Sequence, residues 1–198
     1  EYGTSISLNG SHINNIDIQP TGDEYGYNSD FFKIGDPLFF QDINVEVTKK
    51  INKDLKLIAT YINQIYNAEV LEGHPDSPMV YANIGVLDFT YKFTKTNSLR
   101  MEFQHLWTEQ DRGNWAFVLA EYSIAPNWSF NAYDEYNYGN NTESLRIHYF
   151  SGGIVYTRNA ARIALGYGKQ RSGLLCVGGV CRQVPASNGF TFSVSTSF

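Results

Sequence analysis

Asp134, Glu135 and His148 are the residues whose types best fit bond-breaking chemistry. A carboxylate beside an imidazole can activate a water molecule. The three lie near the ends of neighbouring segments, where they could meet at a rim. Three common residue types also meet there by chance, and solvated rim residues are the plainer reading. A serine hydrolase needs a Ser–His–acid set, and the sequence holds no Gly-x-Ser-x-Gly elbow. His74, between Glu72 and Asp76, reads as an exposed loop residue. Asp23, Glu24 and Asp30 lack the regular spacing of a calcium loop. Neither a cofactor nor a metal is expected.

Cys176 and Cys181 flank Val177-Gly178-Gly179-Val180. A Gly-Gly turn between close cysteines suits a disulfide loop, a bond that persists in an oxidising, extracytoplasmic setting. Two free thiols and a zinc site are the alternatives. Zinc would need further ligands, and no histidine lies near.

A third set is defined by position. Glu46, Lys56, Asp88, Lys92, Arg100, Glu102, Glu121, Arg146, His148 and Arg162 all fall on the polar side of alternating segments. Charges of both signs are interspersed, as in the interior of a narrow barrel or the lining of a weakly selective pore. Trp115, Phe117 and Leu119 share their side with Glu121, which favours a filled interior over a conducting one.

The elements that must position these groups are strands. Period-two alternation recurs from end to end, and no helical period of comparable length competes with it. Strands are expected at 4–12, 42–50, 55–66, 80–93, 98–108, 115–124, 128–136, 145–157, 161–169 and 190–198. The fifth is the clearest: Leu99, Met101, Phe103, His105 and Trp107 alternate with Arg100, Glu102 and Gln104. His105 therefore reads as an interfacial side chain, like its neighbour Trp107. Connections at Asn52, Thr94, Ala125 and Arg158 are short, and those between them are longer and more polar. Outer-membrane barrels alternate short periplasmic turns with long external loops in this way.

Composition agrees. Aromatics make up 15% of the 198 residues, with 14 Tyr and 13 Phe, and such enrichment favours strands. Mean hydropathy is −0.32, and no apolar run reaches the ~18 residues of a spanning helix. A net charge of −5 without a basic cluster argues against nucleic acid as partner. Phe93, Trp128, Tyr156 and Phe198 at one set of strand ends, with Tyr61, Trp107 and Tyr136 at the other, fall where two aromatic girdles would. The expected fold is an all-β, antiparallel up-and-down transmembrane barrel of about ten strands, one domain over 1–198, with both termini periplasmic. The external loop 13–41 carries Phe31-Phe32 and Phe39-Phe40, suited to docking on the barrel mouth or on other outer-membrane proteins.

The final strand, with Phe190, Phe192, Val194 and Phe198 on alternate positions, resembles the signal that outer-membrane barrels present to the insertion machinery. The segment Gly173-Leu174-Leu175-Cys176-Val177-Gly178-Gly179-Val180-Cys181-Arg182, followed by Val184-Pro185, resembles the tail of an uncharacterised Bacteroidota-type outer-membrane β-barrel family. That resemblance covers about the last thirty residues and is general upstream. It implies a bacterial outer-membrane location, the lipid bilayer and the insertion machinery as partners, and no transferable catalytic residue. Its members are longer, which implies that these residues form a C-terminal portion. The chain opens at Glu1 with neither Met nor a signal pattern, as expected of a processed or truncated product. The function expected is that of a scaffold, an accessory subunit of a membrane complex, or a narrow pore. A rim enzyme and a soluble all-β binding module are the alternatives.

Overall fold

The structure is a computed structural model that describes residues 3–20, 27–68, 78–110, 112–171, 173–177 and 180–196. It is built on ten antiparallel strands in the order β1-β2-β3-β4-β5-β6-β7-β8-β9-β12, each hydrogen-bonded to the next in that order, with β10 and β11 forming a separate two-stranded ribbon. The strands are β1 (Thr4–Pro20), β2 (Tyr27–Lys50), β3 (Leu55–Asn67), β4 (Met79–Lys92), β5 (Asn97–Trp107), β6 (Trp115–Ile124), β7 (Trp128–Tyr136), β8 (His148–Arg158), β9 (Ala161–Gln170), β10 (Gly173–Val177), β11 (Val180–Val184) and β12 (Ser187–Thr196). An up-and-down all-β sheet is thus what the alternation builds.

Short turns sit together at one end. Asn52 Oδ1 accepts from the N–H groups of Asp54 and Leu55 at 2.8 Å each, and Thr94 Oγ1 does the same for Thr96 and Asn97 at 3.2 and 3.0 Å. These side chains close the turns by offering the backbone a local acceptor. At the other end the connections are long. Two of them are strand rather than loop, which corrects the expectation for 13–41. β1 and β2 continue pairing well past the expected ends, through Asn14↔Leu38, Ile16↔Ile34 and Ile18↔Ser29, with register shifts between these pairs. Bulges absorb the odd residues, so the ladder runs on where side-chain alternation fails. Phe39 and Phe40 therefore lie within β2. The side chains of Phe31 and Phe32, and the whole of 21–26 and 69–77 with His74, lie outside the described residues. Cys176 and Cys181 oppose each other directly across β10 and β11. The disulfide expected there, like Phe198 of the terminal signal, concerns groups outside the described residues.

The sheet presents two different faces. Outward, one row of register partners runs Tyr91, Leu99, Tyr122, Phe130, Ile154, Leu165, Phe192 without a polar residue from β4 to β12. Inward, the row one residue along reads Lys56, Thr90, Arg100, Glu121, Asn131. The inner face is sheltered by curl: Leu119 is 2% exposed, Glu121 and Tyr133 8%. The outer face is bare, with Leu8 and Phe192 at 71% and Phe190 at 81%. The curl does not complete a circle. β1 and β12 are the two ends of the sheet and do not pair, so the ten strands do not form a closed barrel by themselves.

Candidate functional site on the concave face

Arg100 lies at mid-strand in β5 on the concave face. Its Nε donates to Asp88 Oδ2 on β4 at 2.6 Å, its terminal nitrogen binds Glu102 two residues on, and Glu121 on β6 is its direct cross-strand partner. Gln104 donates to the same Glu102. Alternation puts residues i and i+2 on one face, and register brings β4 and β6 alongside. One guanidinium thus ties together carboxylates from neighbouring strands, with side-chain exposures of 30% for Arg100 and 12% for Glu102. Glu46, Lys56, Lys92 and Arg162 lie on the same face, further from this centre.

Arg146 and His148 do not belong to this set. β8 begins at His148 rather than at 145, so Arg146 sits in the preceding loop, donating from Nε to Asn140 O at 2.8 Å. His148 pairs with Tyr136, whose face carries Phe130 and Trp128, and so points outward. The same register divides the rim trio. Asp134 Oδ2 is 2.6 Å from His148 Nδ1 on the outer face, and the Tyr136 ring stacks on the imidazole at 3.9 Å. Glu135, one residue along, points inward to Arg171 at 3.2 Å. A sheet one residue thick separates the two carboxylates, and the water-activating trio is not assembled. His105 lies outward as expected, its Nε2 2.6 Å from the Tyr138 hydroxyl and its ring 4.1 Å from Trp107.

Towards the end with long connections, the concave face becomes aromatic. The Arg171 guanidinium lies 4.3 Å over the Trp115 ring, Trp115 stacks on Tyr149 at 6.2 Å, and Lys169 lies 5.0 Å over Tyr149. A cation over a ring face is attracted by the ring's quadrupole, which fixes these side chains against the wall. Val184 (8% exposed) and Pro185, at the foot of the β10–β11 ribbon, line a cavity of about 250 Å3 over Gly153 and Gly166. A Cβ at Gly153 would stand 2.9 Å from Leu165 O and one at Gly166 2.8 Å from Thr191 Oγ1, so bare backbone lines the cavity there.

Sequence reasoning missed the clamp between the β5–β6 and β7–β8 loops. Asn137, 1% exposed, donates from Nδ2 to Arg112 O at 2.9 Å, and Gly139 N–H donates to Asn114 O at 3.1 Å. Gly113 has φ +70°, and a Cβ there would stand 2.1 Å from Gly139 O. Gly113→Ala is therefore expected to cost about 2–3 kcal/mol of loop stability. Limited proteolysis should then cut selectively at 108–114 while the strands stay intact. Unchanged protection would show that the two loops separate freely. The available signal was the recurrence of Gly and Asn at 113, 114, 137, 139 and 140 in both loops.

The fold defines the class: an antiparallel up-and-down β protein with a charged concave face and an apolar convex one. Residues 1–198 match a family model described as a family of unknown function, DUF6029. The chain belongs to that family. No curated protein and no solved structure matches it.

Proposed function

We propose that this chain is the wall of a β-barrel in a bacterial outer membrane, serving as a scaffold or accessory element of a membrane assembly. The observation that carries this reading is the convex face. Its apolar rows run from strand to strand across the sheet and are left bare, with Phe150 at 58% and Tyr167 at 56% exposure between the more exposed edges. Monomeric soluble proteins rarely expose contiguous apolar patches of more than a few hundred Å2. A bilayer covers such a face, and the charged side then belongs to the interior. No helix among the described residues is long and apolar enough to cross a membrane, a test that does not bear on strands.

The edges fit the same reading. Unpaired backbone groups cost several kcal/mol each in hydrocarbon, so β1 and β12 take further strands, from this polypeptide or another. Phe190, Phe192 and Val194, all outward on β12, would present the terminal signal to the insertion machinery. The opposed cysteines would be oxidised in that compartment. Refolded protein run unheated on a denaturing gel should migrate differently from heated protein, and should float with liposomes. An unshifted band together with solubility free of detergent would sink the proposal.

The open edges favour a second reading, a water-filled pore. A barrel closed at ten strands has a narrow bore that side chains can fill. Added strands widen it and draw the concave walls apart. Stepwise conductance in a planar bilayer distinguishes the pore from the scaffold.

A further inference from the structure

A cavity of about 470 Å3 opens on the concave face beside the clamped loops. Its apolar floor includes Val80, Ile84, Leu106 and Phe117, and Arg112 and Arg171 stand in its lining. The apolar side chains continue the patch that Trp115 and Leu119 form along β6 on the same face. Arg112 is held by its backbone, since Asn137 binds its carbonyl and Gly113 beside it is fitted against Gly139. Yet among the described residues its guanidinium has no carboxylate partner. Arg171 has one, Glu135. The cavity lining, which also holds Gln64, Gln104 and Thr108, therefore carries excess positive charge on a fixed loop beside a partly apolar surface.

We infer that this cavity binds an amphipathic carboxylate, with its head group on Arg112 and its hydrocarbon chain across Ile84, Leu106 and Phe117. A planar carboxylate matches the arginine fork with paired hydrogen bonds. A hydrocarbon body is what the floor favours, because burying it removes apolar surface from water on both sides. A neutral sugar would leave the guanidinium without a counter-charge, and a small inorganic anion would leave the floor uncovered. The site goes beyond the barrel reading and does not require it, since it uses the concave face alone.

Trp115 lines the cavity and reports on it. Trp107→Phe with Trp128→Phe leaves Trp115 as the sole tryptophan of the 3 in the chain. In the folded protein in detergent, dodecanoate brominated at its last carbon should quench Trp115 saturably. The matching bromododecanol should require about tenfold higher concentration, and Arg112→Gln should weaken the acid about tenfold while leaving the alcohol unchanged, since one charge-assisted hydrogen bond is lost. Arg112 contributes its carbonyl, not its side chain, to the clamp, so this variant keeps the fold, and an unchanged far-ultraviolet spectrum verifies that. Equal quenching by acid and alcohol, or an Arg112→Gln variant that binds as the parent does, overturns the inference. Displacement by inorganic phosphate as effective as by dodecanoate would also overturn it, reducing the site to a bare anion contact. Membrane insertion is read separately by flotation, so either idea can fail alone.

Discussion

Phe192→Arg is expected to cost about 2–4 kcal/mol of folded stability in lipid, the range for a cation at the bilayer midplane on a barrel's outer face. Phe192 sits mid-strand in β12, 71% exposed, with Leu165 as its register partner. The same substitution separates two environments. On a soluble surface, an exposed phenylalanine with no buried contacts can become arginine within about 0.5 kcal/mol in either direction. In hydrocarbon, the guanidinium has no counter-charge in its row, which reads Tyr122, Phe130, Ile154, Leu165. Thr191→Arg, on the concave side of the same strand opposite Gly166, is the control, and it should cost little. Urea titration of the folded fraction in liposomes, read by gel mobility, measures both. If the two variants unfold at the same urea concentration, the convex face does not meet lipid.

Arg100→Leu should be the most damaging change on the opposite face, at about 2–3 kcal/mol. Removing one partner of a buried ion pair costs about 3–5 kcal/mol, and the 30% exposure of Arg100 moves the expectation below that range. Leucine leaves Asp88, Glu102 and Glu121 crowded around an apolar side chain with no cation between them. The loss comes from uncompensated carboxylates as much as from the missing arginine. Adding Glu121→Gln to Arg100→Leu should therefore recover about half of it, a coupling that a double-mutant cycle reads directly. If Glu121→Gln makes the double variant worse, the carboxylates are hydrated independently and no network exists.

These positions show how much was legible in sequence. The alternation that put Arg100, Glu102 and Gln104 opposite Met101, Phe103 and His105 translated directly into faces, because side-chain direction in a strand has a period of two. Strand ends were less legible. β1 and β2 run on through 13–20 and 27–41, where their backbone ladder needs no hydrophobic period, and alternation was the only signal available. Small boundary errors then propagate. Placing the start of β8 at 145 instead of His148 put Arg146 in the wall, and the side assigned to His148 was the wrong one, because a shift of one residue inverts every side chain. The pairing of Arg171 with Glu135 and Trp115 was invisible, since it joins the end of β9 to β6 and β7 across the curl. No local pattern records curl. Closure was illegible for the same reason: strand count is a property of sequence, but whether the first strand meets the last depends on accumulated twist and shear.

The two edge strands carry one more consequence. β1 and β12 stand at opposite ends of an alternating series of ten, and so run in opposite directions. An antiparallel ring can be completed between such edges only by an even number of strands. The unit of addition is therefore a hairpin, which begins and ends at the same end of the sheet. A wall of this kind can grow in circumference, hairpin by hairpin, without changing the chemistry of either edge or the side on which its chain ends emerge.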